Sequence, residues 1–190
     1  MRVRPIYREE MNDALRLIHC SIRALNSKDY TPVQIERIVR SYGMASLVGG
    51  VVLVAEQRSK MVGVAKVSFG LLSAQLIEAV FTHPEHVYEG VGRALVFELE
   101  KRANRHNLQK LSVIASLTAV GFYQSLNYEQ IRAVTINGSI QCVLMEKQLR
   151  PATAIDHYRG ALAVGLVFVF FFVVLYAIVS VCLYLLLSGF

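Results

Sequence analysis

The chain holds 190 residues, with 20 Lys and Arg against 14 Asp and Glu, a net charge of +6. No block of five or more basic residues appears, so the excess points to a phosphate-bearing cofactor, an acidic substrate or a lipid surface rather than to nucleic acid. Cys20, Cys142 and Cys182 share no ligand spacing, which speaks against a metal site or disulfide framework and for free thiols in a reducing compartment.

In chain order, Val3–Ile6 is a short strand that Pro5 confines to a sheet edge. Arg8–Leu25 carries Met11, Leu15, Ile18 and Ile22 at helical spacing. Thr31 and Pro32 open a second helix as N-cap and first residue, running to about Tyr42. After Gly49-Gly50, the β-branched runs Val51–Glu56 and Met61–Phe69 read as a hairpin joined through Gln57–Lys60, with Leu72–Thr82 as a third strand. Gly90–His106 is helical, with Leu95, Leu99 and Ala103 on one stripe. Leu111–Ala115 is a strand and Thr118–Leu126 a short helix; Tyr128–Val134 and Ile140–Leu149 are strands joined through Asn137-Gly138. The order β-α-α-β-β-β-α-β-α-β-β predicts one α+β domain with a mixed sheet over residues 1–148, and a linker over 149–160.

From Ala161 to Leu187 the chain is one apolar run, and no charged residue follows it. At about 1.5 Å per residue the run reaches roughly 40 Å, against about 30 Å for a hydrocarbon core. One transmembrane helix is therefore expected over 161–187, with a short tail at 188–190. Lys147, Arg150 and Arg159 precede it, which places the N-terminal domain on the cytoplasmic or equivalent side. Met1–Glu10 is charged with no apolar stretch, so no signal peptide is expected there.

The stretch that carries chemistry is VFTHPEHVYEGVGRALVFELE, where a strand enters a glycine-containing loop that opens into a helix. Such a helix start presents unpaired N–H groups and the positive end of the dipole, a ready site for phosphate. Gly90 and Gly92 allow close approach of an anion, and Arg93 adds charge in the first turn.

Pro84, Gly90, Gly92 and Leu95 fit a strand, a Pro, then Gln/Arg-x-x-Gly-x-Gly/Ala entering a helix. Ser116-x-x-Ala119-x-x-Phe122-Tyr123-x-x-x-Asn127-Tyr128 fits Ser/Asn-x-x-Ala-x-x-Phe-Tyr-x-x-x-Gly-Phe/Tyr. On these two blocks the first 148 residues resemble the GNAT superfamily of acyl-CoA-dependent N-acetyltransferases. Val87 stands at the family's Gln/Arg position, Tyr88 where Gly is common, and Asn127 in place of the usual Gly.

The resemblance implies a mostly antiparallel, splayed sheet flanked by helices. Leu72–Thr82 and Leu111–Ala115 would part to admit the pantetheine arm of acetyl-CoA, whose amides would pair with the backbone of Val80, Phe81 and Thr82. The pyrophosphate would lie on the amides of Val87, Tyr88, Glu89, Gly90, Val91, Gly92 and Arg93. Ser116, Ala119 and Phe122 of the second block would border the cofactor. An amine would attack the thioester directly, with no covalent enzyme intermediate and no metal.

Two proton transfers follow from that chemistry. A lysine-like amine with pKa about 10.4 is neutral in roughly one molecule of 2,500 at pH 7, so a base near the acceptor is useful. Glu78 is the first candidate, against the plainer reading of a solvated strand carboxylate; the family's usual base position falls nearer Leu76. Tyr123 occupies the family's position for the acid that meets the departing CoA thiolate, against the reading of a packing tyrosine. His83 and His86 are proton relays or idle loop residues, and Cys142 reads as core. Two functions stand open. One is a membrane-tethered N-acetyltransferase whose acceptor is a small-molecule or protein amine. The other is a catalytically degenerate GNAT-like subunit or assembly factor of a membrane protein complex.

Overall fold

The computed structural model describes residues 1–68 and 76–149. Among the described residues seven strands form, with β2 and β3 the near-continuously buried ones: β1 (Arg2–Pro5), β2 (Val51–Gln57), β3 (Lys60–Ser68), β4 (Leu76–Thr82), β5 (Lys110–Ser116), β6 (Glu129–Ile136) and β7 (Ile140–Gln148). Four helices connect or cover them: α1 (Met11–Leu25), α2 (Pro32–Ser41), α3 (Val91–Arg105) and α4 (Val120–Gln124). The strands form one sheet in the order β1-β2-β3-β4-β5-β7-β6. Among the described strands only the β4–β5 contact is parallel. β1 holds an edge, where Pro5 costs the ladder little.

Period-two alternation divides the core into two layers. Leu53 and Ala55 of β2 and Ala65 and Val67 of β3 pack with Val91, Leu95 and Leu99 of α3. Val52, Val54 and Val64 point the other way, onto Leu17, Ile18 and Ile22 of α1 and Ile35 and Val39 of α2. Gly63 sets how closely α3 approaches the sheet: a methyl there would stand 2.6 Å from Val91 Cγ1 and 2.9 Å from Leu95 Cδ1.

Several predicted boundaries shift for local reasons. The first helix opens on a 3-10 turn at Arg8–Glu10, because Glu10 accepts from the Tyr7 amide at 2.9 Å and pairs with Arg4 at 2.7 Å. The helix expected over 118–126 divides into a 3-10 turn, Leu117–Ala119, and α4. Asn127 then takes a left-handed φ of 65°, and the amides of Leu126 and Tyr128 both bond Tyr123 O. Left-handed Arg58 and Ser59 turn the β2–β3 hairpin, and left-handed Asn137 and Gly138 turn β6 into β7. The third strand begins at Leu76; the 72–75 part of the expected strand lies outside the described residues. So does the expected membrane span Ala161–Leu187. Among the described residues no helix is long and apolar enough to cross a membrane.

Candidate active site

β4 and β5 stay together for only two residue pairs, Leu76↔Ser112 and Ile77↔Val113. Beyond them β4 runs to Thr82 along β3, while β5 runs to Ser116 along β7. Each strand keeps its outer neighbour, so the facing edges of Glu78–Thr82 and Ile114–Ser116 have no strand partner among the described residues. The parting starts at a bulge. Val67 pairs with Ile77 and Lys66 with Ala79, so Glu78 is the extra residue on β4. A bulge bends its strand and sharpens its twist, here away from β5.

The open edge of β4 leads into α3. Pro84–His86 forms a 3-10 turn, and Gly90 caps the helix with φ 81°, the left-handed region that favours glycine. Ala94 is the first amide to bond back, to Gly90 O at 3.0 Å. The amides of Val91, Gly92 and Arg93 ahead of it have no protein acceptor among the described residues. Unbonded donors at the positive end of a helix dipole are chemically suited to an anion such as a phosphate. His83 Nδ1 accepts from the Glu85 amide at 3.3 Å, and His86 Nδ1 lies 3.0 Å from Glu89. Both expected relay histidines are thereby engaged in shaping the loop.

Three elements meet at Gly92. A methyl on it would stand 3.1 Å from Phe122 Cζ of α4 and 3.6 Å from Thr82 Oγ1 of β4. Next to Phe122, Tyr123 is buried, its ring 5.0 Å from Phe122 and 5.4 Å from Tyr128. Burial raises the pKa of its hydroxyl, with a smaller push from Tyr42. No hydrogen bond engages that hydroxyl among the described residues. It stays protonated at neutral pH and is available as a donor.

The carboxylate of Glu78 lies on the α1–α2 side. Lys66, only 4% exposed, reaches it at 2.6 Å, and Ser68 donates to the other oxygen. The same ammonium donates to Ser46 O at 2.8 Å and Val48 O at 2.9 Å. Tyr42 donates to the Glu78 carbonyl at 3.1 Å and sets its ring edge-on to Phe81 at 5.1 Å. Burial lifts the Tyr42 hydroxyl to about 12.

Of the residues expected from sequence, Thr82, Gly92 and Phe122 therefore come together, with Tyr123 adjoining Phe122. Ala119 packs against the same core cluster, Ser116 ends β5 at the mouth of the gap, and Val80 lines the α3 side of β4. Glu78 sits at the bulge on the α1–α2 side, and is held in an ion pair rather than free in solvent. Cys142 is buried, and burial pushes its thiol up, as expected of a core residue. Sequence reasoning missed Tyr42, Lys66 and Tyr30, whose hydroxyl accepts from the Leu117 amide at 2.9 Å just past the end of β5. Lys66 left one signal, a lone charge in the apolar run Met61–Phe69. Tyr42 and Tyr30 left none.

A family model described as an acetyltransferase (GNAT) domain matches residues 27–149. The chain belongs to the GNAT family. A GCN5-related N-acetyltransferase from Rhodopseudomonas palustris superposes with TM-score 0.70 at 28% identity, covering 78% of this chain and 95% of that one. The PaiA N-acetyltransferase of Thermoplasma acidophilum, in complex with coenzyme A, shares the fold at 17% identity and TM-score 0.63, covering 77% and 98%. A ribosomal-protein-alanine N-acetyltransferase from Brucella melitensis does so at 19% identity and TM-score 0.57, covering 78% and 100%. Curated protein sequences give no match. As in other GNAT domains, the co-substrate is acetyl-CoA, without a metal. The bare amides, the left-handed Gly90 and the open β4 edge fit its diphosphate and its amide-bearing arm.

Proposed function

We propose that the chain is an acetyl-CoA-dependent N-acetyltransferase, tethered by its C-terminal apolar run and acting on an amine at the cytoplasmic or equivalent face of a membrane. The observation that carries the transferase reading is the parting of β4 and β5 beside the unbonded amides of α3. In this reading the pantetheine arm pairs with the edge Val80–Thr82, and the diphosphate lies on the amides from Val87 to Arg93. Ser116, Ala119 and Phe122 border it.

As the acceptor nitrogen bonds the acetyl carbon, the C–S bond breaks and the sulfur takes the electron pair. A thiol has pKa about 8.5 and a tyrosine about 10, so early transfer from Tyr123 is uphill. Tyr123 therefore first steadies the thiolate through a charge-assisted hydrogen bond. Glu78 takes the proton that the nitrogen loses, held in position by Lys66 and Ser68. The acceptor is a small-molecule or protein amine, and the ribosomal-protein acetyltransferases among the structural neighbours recommend including protein amines in a screen. The tether is read from residues 161–187 of the sequence, and it would concentrate the domain near membrane-associated acceptors.

Calorimetric titration of the full-length chain with acetyl-CoA, followed by an amine screen read as free thiol release, tests the transferase; alkaline carbonate extraction of membranes tests the tether. Micromolar binding and acceptor-dependent thiol release are expected, with the chain retained in the membrane pellet. A chain that never takes up acetyl-CoA yet copurifies stoichiometrically with a membrane complex would be the accessory subunit instead.

A further inference from the structure

Tyr88 combines two features that are unfavourable in the free protein. Its backbone sits at φ 64°, where a bulky L-residue is strained. Its side chain is fully exposed, at 103% relative accessibility, so the protein offers the ring no compensating burial. The residue lies two positions before the Gly90 cap, on the loop that leads to the unbonded α3 amides. Arg93, also exposed, stands on the first turn beyond, while Glu89 is turned to His86 at 3.0 Å.

We propose that Tyr88 is a ligand-contact residue that stacks on the adenine ring of acetyl-CoA. The inference rests on the transferase reading and adds the residue that grips the nucleotide end. In coenzyme A the adenosine is attached directly to the diphosphate, so seating that group at the head of α3 brings the base to the same loop. An exposed phenol face is a suitable platform for a purine, since base–aromatic stacking needs no particular hydrogen-bond pattern. The backbone strain at Tyr88 is then offset on binding, when the ring gains its partner.

The test compares wild type, Tyr88→Gly and Tyr88→Phe as full-length chains. Calorimetry uses acetyl-CoA and S-acetyl-4′-phosphopantetheine, which lacks the adenosine together with its 5′- and 3′-phosphates and keeps a single phosphate. Tyr88→Gly should weaken acetyl-CoA binding about fivefold or more, as loss of one stacked base does. It should leave the truncated thioester within about twofold and raise the melting temperature by roughly 2–4 °C through relief of strain. Tyr88→Phe, which keeps the ring, should bind both within about twofold of wild type. Equal acetyl-CoA affinity in Tyr88→Gly and wild type overturns the inference, as does an equal loss on both ligands. A wild-type chain that binds no acetyl-CoA overturns the transferase reading itself and this inference with it.

Discussion

The buried ammonium of Lys66 stands 2.6 Å from the carboxylate of Glu78, joining the middle strand of the meander to the bulge where the sheet opens. Because the same Nζ also holds Ser46 O and Val48 O, one cation ties the loop before β2 to the lip of the gap. Lys66→Met leaves two carbonyls and a carboxylate without their donor. An expected cost of about 1–3 kcal/mol follows from removing a charged donor from these part-buried acceptors, of which only Glu78 keeps a second donor, Ser68, measurable by denaturant melts. Glu78→Gln leaves Lys66 its two carbonyls and should cost only about 1 kcal/mol. If Glu78 is the base, that milder change nevertheless lowers kcat about 100-fold. Parallel losses of stability and rate in the two variants would instead make Glu78 a structural clamp.

Tyr123→Phe removes a hydroxyl with no protein partner among the described residues. Stability should change by less than about 1 kcal/mol, since no hydrogen bond is broken. Turnover in the thiol-release assay should fall about 10- to 100-fold while the acetyl-CoA dissociation constant holds, the signature of a donor to the leaving thiolate. Unchanged turnover would return Tyr123 to the role of packing residue.

Tyr30 joins three distant segments. Its hydroxyl donates to Gln141 O at 2.6 Å and accepts from the Leu117 amide at 2.9 Å. Tyr30→Phe strands both backbone groups, and a loss of about 2–4 kcal/mol is expected. Hydrogen exchange at the Leu117 amide should quicken in the variant; an unchanged rate would mean that another acceptor takes over.

Burial raises the hydroxyls of Tyr30 and Tyr42 to about 12, and those of Tyr123 and Tyr128 are raised as well. The folded state then holds protons that the unfolded chain releases near pH 10. Stability is full below pH 10 and declines as pH rises from there towards 12, because the native state binds more protons. The same groups predict that activity has no falling limb below pH 10. It should climb with pH as the acceptor amine loses its proton. A descending limb near pH 8 would assign the acid to another group.

Gly90→Ala forces a Cβ onto φ 81°, with no neighbour within 4 Å among the described residues to clash, so its cost is conformational, about 1–2 kcal/mol. Gly90→Asn should recover much of that, since Asn tolerates the left-handed region. Melting temperatures of the two variants, measured side by side, check the order.

Helix α2 with its Thr31 cap and Pro32, the hairpin at Asn137-Gly138 and the stripe Leu95, Leu99, Ala103 were all legible from the sequence, because each depends on neighbours a few residues apart. So were the two GNAT blocks, and the departures within them acquire a physical sense: Tyr88 and Asn127 both occupy left-handed positions, which is where glycine is common. The apolar run after residue 160 is likewise a property of composition alone. What composition and periodicity do not encode is the partner of each side chain across the sheet. The bulge at Glu78 reverses the expected alternation: Ile77 faces α3, yet Ala79, two residues on, pairs with Lys66 on the other face. That choice of register arises from pairings with residues ten or more positions away. Only the tertiary structure could therefore decide that Lys66, Tyr42 and Tyr30 join the site, and where the sheet parts.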